Sequence, residues 1–143
     1  MYNKMILDTV EKLNQASAGT LMESLHIRFV RFADDCLVAD MPVNSSSIQP
    51  YGFLHGGATV ALAESVGGAL SLLSIDGSIF IAVGIEINAN HLLPAKEGKV
   101  TAKAMFLHKG NSIHVVDIRV TDDVGKLISV CRLTNKILKK GEL

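Results

Sequence analysis

The chain has 143 residues, of which 48% are hydrophobic and 20% are charged, so it has the composition of one folded domain rather than of a disordered segment. Lysine and arginine together number 14, as do aspartate and glutamate, and this balance argues against a nucleic-acid-binding protein with a broad basic surface. An anionic ligand would have to be held by a few local charges rather than by the overall field of the protein.

Residues 3–16 carry apolar side chains at helical spacing and predict a short amphipathic helix, which Gly19 ends. This helix, within residues 1–17, is expected to be an appendage of a single domain that spans residues 1–143. Two strands, a loop, one long helix and four more strands follow. In chain order, these predicted elements are strands at 26–32 and 36–41, a loop at 42–53, a helix at 55–74 and strands at 79–88, 99–107, 112–121 and 126–138.

The long helix is unusual because most of its residues are small and few are polar. Glycine inside a helix costs about 1 kcal/mol relative to alanine, so its repeated use here indicates that another backbone approaches closely. A helix that is apolar all round is expected to be buried. Strands on both sides of one buried helix predict an α+β fold, in which a curved antiparallel sheet wraps around that helix. The small residues are Gly56, Gly57, Ala58, Ala61, Ala63, Gly67, Gly68 and Ala69.

Glu64 is the candidate catalytic carboxylate, because it lies in the middle of this apolar helix. The residues one turn away are Val60, Ala61, Gly67 and Gly68, none of which can neutralise it. A buried carboxylate without a partner is costly unless it becomes protonated, and such groups are often functional. We therefore expect Glu64 to take part in chemistry, with a carboxylate that merely reaches solvent or an arginine as the alternative.

The segment Gln49–Gly57 leads into the helix and offers a second group of candidates. A helix start exposes unpaired N–H groups with partial positive charge, and Gly56 and Gly57 let a substrate oxygen approach the backbone. This predicts an oxyanion site, with a plain glycine-rich turn capped by His55 as the alternative. The helix start lies roughly 10–12 Å from Glu64, too far for one reacting carbonyl unless a second copy of the chain supplies half of the site.

Several other chemistries have no support in the sequence. Ser45–Ser47 lie in a loop without the glycine-framed elbow of a serine hydrolase. The histidines form no close pair with a third ligand, so no metal site is predicted, and His26 and His114 are interpreted as surface or packing residues. Cys36 and Cys131 are far apart and are expected to be reduced, buried thiols.

Neither a secretory signal nor a membrane helix is expected. Asp8 and Glu11 interrupt the apolar N-terminal run. The most apolar stretch, residues 53–75, contains His55 and Glu64, which a membrane span would not favour. A cytoplasmic protein without membrane or nucleic-acid partners is therefore predicted.

The runs Gln49–Ala58 and Ala63–Ser65 resemble the hotdog-fold acyl-CoA thioesterases. Gly84–His91 and Leu107–Gly110 are similar to the same branch, which contains the phenylacetate-pathway, Glu-type hydroxybenzoyl-CoA and dihydroxynaphthoyl-CoA enzymes. The resemblance covers residues 18–138, most of the chain. It implies a hotdog fold and hydrolysis of an acyl-CoA, with coenzyme A as part of the substrate and no cofactor.

The resemblance also implies catalytic roles. Glu64 would be the nucleophile or the general base. Gln49 and the Gly56 N–H would polarise the thioester carbonyl, and His55 would help orient the loop and the leaving group. Because the two halves of the site come from different subunits in this family, the chain is expected to form a dimer, and further a dimer of dimers.

Coenzyme A would be bound by three segments of the chain. Relatives often carry a basic residue where Leu93 stands, so Lys96 or Lys109 is expected to contact the phosphates instead. The residues implied for coenzyme A are Gly84, His91, Leu92, Leu93, Pro94, His108, Lys109, Gly110, Asn111, Ser112 and Ile113.

A second departure concerns the attacking water. Relatives usually carry serine or threonine one turn beyond the catalytic glutamate, where this chain has Gly68, so Ser65 or Ser71 would have to substitute. The favoured function is hydrolysis of an aromatic or medium-sized acyl-CoA. The alternatives are a dihydroxynaphthoyl-CoA hydrolase of menaquinone synthesis, and a non-catalytic acyl-CoA-binding protein in which Gly68 reflects lost catalysis.

Overall fold

The computed structural model describes the backbone of residues 2–143 and the side chains of residues 8–143. The predicted helices and strands are all present, and a short helix, α2, is additional. The side chains of Met5 and Ile6, on which the prediction of the first helix partly rests, lie outside the described residues. The elements are α1 (Tyr2–Ala16), α2 (Leu21–Ser24), β1 (Arg28–Ala33), β2 (Cys36–Pro42), α3 (Gly56–Leu73), β3 (Phe80–His91), β4 (Lys99–Lys109), β5 (Ile113–Thr121) and β6 (Leu127–Lys139).

The six strands form one antiparallel sheet in the order β1-β2-β4-β5-β6-β3. The curved sheet wraps around α3, which contacts β2, β3, β4, β5 and β6, so the predicted α+β architecture is confirmed. Burial of each large apolar side chain between helix and sheet stabilises the fold by about 1.5–3 kcal/mol. The buried face of α3 consists of Ala58, Thr59, Leu62, Ala63, Val66, Gly67, Leu70 and Ser71.

Two tight turns follow from short polar residues at the predicted positions. Between β1 and β2, Asp34 and Asp35 both have φ of 53°, a left-handed conformation that aspartate tolerates better than most residues. Between β5 and β6, Gly125 has φ of 81° and the Asp122 N–H donates to the Lys126 carbonyl at 3.0 Å. Residues 122–125 therefore form a tight hairpin turn in the gap between the last two predicted strands.

The amide of Asn14 attaches α1 to the outer edge of β1. Asn14 Nδ2 donates to the Phe29 carbonyl, and the Phe29 N–H donates to Asn14 Oδ1, both at 2.9 Å. A side chain thus satisfies the two backbone groups that a neighbouring strand would otherwise satisfy.

Burial of α3 is confined to one face, and this differs from the expectation of a helix buried all round. Val60, Ala61 and Gly68 are partly exposed and Glu64 is exposed, so the carboxylate is not desolvated within a single chain. Apolar composition alone does not show whether a helix face contacts the core of its own chain or another surface. α3 is also the one helix of the described residues long and apolar enough to cross a membrane, but its contacts with five strands are those of a core helix.

Along β3, the regular alternation of side chains between the two faces of the sheet is interrupted. The register with β6 shifts between Gly84 and Glu86, which marks a β-bulge, and Ile85 is 58% exposed. A bulge adds one residue to a strand and turns the following side chains toward the opposite faces of the sheet. The simple period of two therefore fails next to the candidate catalytic helix.

Candidate active site

The start of α3 is capped by the histidine that precedes it. His55 has extended backbone angles, and its Nδ1 accepts a hydrogen bond from the Gly57 N–H at 2.8 Å. In the neutral ring the proton must then lie on Nε2, which remains able to donate. His55 therefore caps the helix, as the alternative interpretation expected. Its Nε2–H also remains at the helix start as a hydrogen-bond donor.

A pocket of about 280 Å³ opens beside this helix start. It brings together the residues expected to polarise a carbonyl and one of the segments expected to hold coenzyme A. Its lining residues are Gln49, Phe53, Leu54, Gly56, Thr59, His91, Leu92, Leu93, Pro94, Ala95, Ile128 and Ser129.

Gln49 is held in a tight turn that leaves one end of its amide available. Its side-chain Oε1 accepts a hydrogen bond from the Tyr51 N–H, and its carbonyl accepts from the Gly52 N–H at 2.9 Å. Gly52 has φ of 83°, a conformation that side chains other than glycine rarely adopt. With Oε1 occupied, the NH₂ of Gln49 is the group that can donate to a ligand oxygen.

Glu64 lies against β3 at the residue that precedes the bulge. A Cβ added to Gly84 would lie 2.6 Å from Glu64 Oε1, which is closer than real Cβ atoms approach such an oxygen. The absence of a side chain at Gly84 therefore allows the carboxylate to occupy its position. Gly84, expected from the family resemblance to contact coenzyme A, is in this chain a direct neighbour of the candidate catalytic group.

The sequence profile of the thioesterase superfamily matches residues 51–129, which include the helix start, Glu64 and Gly84. The chain belongs to the thioesterase superfamily. Its hotdog fold and its identity as a thioester hydrolase, both implied by the sequence, are confirmed.

Individual relatives agree with this assignment. A 1,4-dihydroxy-2-naphthoyl-CoA hydrolase of Escherichia coli K12 is 45% identical over 91% of this chain and 95% of its own. The crystal structure of a mutant of thioesterase PA1618 from Pseudomonas aeruginosa superposes with a TM-score of 0.90 and 45% identity, covering 91% of this chain and 94% of that one. Thioesterase HI1161 from Haemophilus influenzae has a TM-score of 0.90 at 39% identity, covering 93% and 92%.

The loop of this thioesterase at residues 108–113 lies at the other end of α3. Together with Asp76, Phe80 and His114, this loop lines a separate pocket of about 380 Å³. α3 has 18 residues and therefore spans about 27 Å. Within one chain, the structure thus does not bring the two groups of residues expected to bind coenzyme A into one pocket.

The two candidate phosphate-binding lysines of the thioesterase differ in their surroundings. Lys109 Nζ pairs with Asp35 at 2.8 Å, and both side chains are substantially exposed, so the ion pair is weak. Lys96 Nζ lies 5.0 Å above the ring of Phe53, a residue of the pocket at the helix start. Of the two lysines, Lys96 is therefore the closer to that pocket. Leu93 lines the pocket but carries no charge that could bind a phosphate.

The two serines considered as substitutes for a water-binding hydroxyl are already engaged. Ser65 Oγ donates to the Ala61 carbonyl at 2.7 Å, whereas Ser71 lies on the buried face and accepts from Asn135 Nδ2 at 2.8 Å. Ser71 therefore cannot act beside Glu64. A Cβ added to Gly68 would meet no atom within 4 Å, so the space for a hydroxyl is open.

His114, one of the two histidines interpreted as surface or packing residues, is buried and packs edge-on against Phe106 with ring centroids 5.1 Å apart. Burial, the largest effect, lowers the pKa of His114 below its ordinary value, so the ring is neutral near pH 7. The other, His26, is exposed. Among the residues that the structure describes, no cluster of histidine, cysteine and carboxylate side chains could hold a metal ion.

Sequence reasoning missed Ser129, which is 1% exposed and lines the pocket of the thioesterase. His91 Nδ1 lies 3.0 Å from Ser129 Oγ, and the two residues are paired across β3 and β6. They are 38 positions apart, so no local motif could reveal the contact. The strand register alone brings them together.

Proposed function

We propose that this thioesterase hydrolyses the thioester of an aromatic or medium-sized acyl-coenzyme A to the free acid and coenzyme A. The observation that carries the proposal is the pocket at the start of α3, where the Gly56 end of the helix meets the amide of Gln49. Glu64 supplies a carboxylate farther along the same helix, and no hydrogen bond or ion pair occupies it among the described residues.

In the proposed reaction, the carbonyl oxygen accepts hydrogen bonds from the Gly56 N–H and the Gln49 NH₂, which stabilise the oxyanion. Glu64 either attacks the carbonyl carbon itself, forming a mixed anhydride that water then hydrolyses to the free acid, or removes a proton from the water that attacks. The carbon–sulfur bond then breaks, and coenzyme A leaves as a thiolate that takes up a proton. His55 Nε2–H, at the helix start, is the donor available to the leaving sulfur.

A complete site requires two chains in this proposal. Glu64 lies eight positions beyond Gly56 in α3, which corresponds to about 12 Å. β3 is the last strand in the sheet order and, among the described residues, pairs only with β6, so its other edge is available to a second chain. Val60 and Ala61 of α3 and Ile85 of β3 leave an apolar surface beside that edge. A two-fold pair along β3 would cover this surface and bring Glu64 toward the helix start of the partner; pairing of dimers remains a prediction.

The same pairing offers a path for coenzyme A. In an antiparallel pair of β3 strands, the Phe80 end of one strand lies next to the His91 end of the other. The pocket that contains Phe80 and the loop at residues 108–113 would then approach the partner's pocket at the helix start. Coenzyme A would run between them, with Lys96 or Lys109 at its phosphates. The free, buried thiols Cys36 and Cys131 are compatible with a cytoplasmic location.

One alternative substrate has a specific observation in its favour. The Escherichia coli relative, at 45% identity, is named for 1,4-dihydroxy-2-naphthoyl-CoA, which supports a dihydroxynaphthoyl-CoA hydrolase. The other alternative, a non-catalytic acyl-CoA-binding protein, is set aside because the chain is a thioester hydrolase, although the space beside Gly68 is open.

The proposal is tested by thiol release from a panel of benzoyl, dihydroxynaphthoyl, medium-chain and acetyl-CoA substrates. We expect kcat/KM to be highest for an aromatic or medium-sized acyl group. A strong preference for the dihydroxynaphthoyl group would select that alternative. Tight binding of acyl-CoA by calorimetry without release of thiol from any substrate would contradict the proposed hydrolysis.

Replacing Gly84 with alanine should lower kcat by about 10- to 100-fold, because the added methyl group forces the Glu64 carboxylate out of its position. The clash involves the flexible end of a side chain, so the melting temperature should change little. Gly77→Ala is the matched control, since a Cβ at Gly77 meets no atom within 4 Å. A folded Gly84→Ala variant with unchanged kcat would show that the position of Glu64 against β3 is irrelevant to turnover.

A further inference from the structure

A buried asparagine lies beside the Glu64 carboxylate. Asn135 of β6 pairs with Gly84 of β3, so its side chain is on the face of the sheet where Gly84 has none. Asn135 is only 1% exposed. A Cβ added to Gly84 would lie 2.6 Å from Glu64 Oε1 and 3.6 Å from Asn135 Oδ1, so both oxygens lie close to one point.

The hydrogen bonds of Asn135 determine the orientation of its amide. Its Nδ2 lies 3.3 Å from the Gly67 carbonyl oxygen and 2.8 Å from Ser71 Oγ. A carbonyl oxygen can only accept, so the group that faces Gly67 must be the NH₂, and both of its N–H bonds are used. Oδ1 is therefore the amide atom on the Gly84 side. In the part of the chain that the structure describes, no group donates a hydrogen bond to this oxygen.

Two acceptor oxygens thus lie close to one another with no donor between them. A buried acceptor without a hydrogen bond is destabilising, and one water molecule can donate to two acceptors at once. Gly84 is exposed in the single chain, so solvent reaches the space beside the two oxygens. Gly68, one turn beyond Glu64 on the same helix, carries no hydroxyl that could hold such a water.

We propose that Asn135 Oδ1 and Glu64 Oε1 together hold the water molecule that attacks the thioester carbon. The inference rests on the proposed acyl-CoA hydrolysis and takes Glu64 as its general base. Asn135 is then a catalytic residue, because it touches a reacting molecule, and Ser71 is a positioning residue that holds the amide.

The proposed water donates one hydrogen to each oxygen, which leaves a lone pair for the thioester carbon. As the water oxygen bonds to this carbon, Glu64 takes up one proton and the second hydrogen remains bonded to the water oxygen. The carbon–sulfur bond then breaks, the thiolate of coenzyme A takes up a proton, and Glu64 returns its proton to solvent. The products are the free acid and coenzyme A.

Replacing Asn135 with leucine removes Oδ1 and keeps the approximate volume of the side chain. We expect kcat for benzoyl-CoA to fall by about 10- to 100-fold, whereas KM should change by less than about threefold, because the water acts in the chemical step. Ser71 is not left unpaired in this variant, since its hydroxyl can donate to the Gly67 carbonyl four residues earlier in the helix. Thermal denaturation verifies that the variant is folded.

Ser71→Ala is the matched control for an anchoring role. It removes one of the two contacts between the Asn135 amide and α3, but the Gly67 carbonyl still orients the amide and Oδ1 stays in place. Its kcat should therefore remain within about twofold of the wild-type value. If Asn135 only attached α3 to the sheet, both variants would lose kcat and melting temperature together, and that result would overturn the inference.

A high-resolution crystal structure of the wild-type protein tests the inference without a variant. One water should lie within hydrogen-bond distance of both Glu64 Oε1 and Asn135 Oδ1, and a protein donor bonded to Oδ1, or no such water, overturns the inference. If Glu64→Gln abolishes turnover while a folded Asn135→Leu variant keeps the wild-type kcat, the proposed hydrolysis stands and only the role of Asn135 fails. If the wild type hydrolyses no acyl-CoA, both fail.

Discussion

Replacing Glu64 with glutamine should reduce kcat for thioester hydrolysis by about 10²–10⁴-fold and leave the fold intact. Glutamine keeps the shape of the side chain but can neither attack a carbonyl carbon nor take a proton from water. The fold should not suffer, because Glu64 is exposed in the chain and the described residues give it no ion pair. Thiol release measures the loss, and thermal denaturation verifies that the variant is folded.

A matched control is available on the neighbouring strand. Glu86 is also an exposed carboxylate, two positions beyond Gly84, and it accepts a hydrogen bond from Asn88 at 3.1 Å. Glu86→Gln makes the same change of charge without touching the proposed site, so its kcat should stay close to the wild-type value. Turnover by Glu64→Gln at a rate similar to that of Glu86→Gln would refute the proposed role of Glu64.

Mixing two inactive variants should restore activity if the site is shared between chains. Gln49→Ala removes a carbonyl-polarising group and Glu64→Gln removes the carboxylate, so each homodimer should be nearly inactive. In a mixed dimer, one of the two sites would combine the intact Gln49 of one chain with the intact Glu64 of the other. Statistical exchange of subunits should therefore recover about a quarter of the wild-type activity.

Differently tagged chains allow mixed dimers to be purified, which removes the dependence on exchange. The control is a chain carrying both substitutions paired with a wild-type chain; there the substitutions disable both shared sites, and activity should be absent. Purified mixed dimers without recovered activity, or a monomer that hydrolyses thioester at micromolar concentration, would show that one chain contains the whole site.

The parts of the fold that the sequence predicts well are those with a local physical cause. α3 begins and ends within one residue of the prediction, because His55 caps one end and Ser74 the other. The turn at residues 122–125 is recognisable because Gly125 accepts a positive φ that other residues avoid. The sequence also predicts that Gln49 and Gly56 lie near one another, because the short segment that contains Gln49 leads directly into the start of α3.

The features that sequence reasoning misses depend on pairing between distant strands. The contact of Ser129 with His91 follows from the β3–β6 register, and Glu64 lies beside Gly84 because α3 packs against β3. The exposure of Glu64 was expected only as the alternative to a buried carboxylate, because the sequence does not distinguish small apolar residues that pack inside the chain from those on an open face. Composition is therefore a poor guide to desolvation on a helix of this kind.

The two edge strands of the sheet, β1 and β3, differ in whether another strand can pair with them. At β1, the amide of Asn14 already satisfies the N–H and carbonyl of Phe29, whereas β3 presents a free edge. If each chain can add a strand at only one edge, a two-fold pair along β3 uses that edge in both partners and leaves none for a third. Polymerisation into a continuous sheet would then stop at two chains. In such a pair, the edge at β1, where Asn14 takes the place of a neighbouring strand, would end the sheet and favour a closed assembly over a fibre.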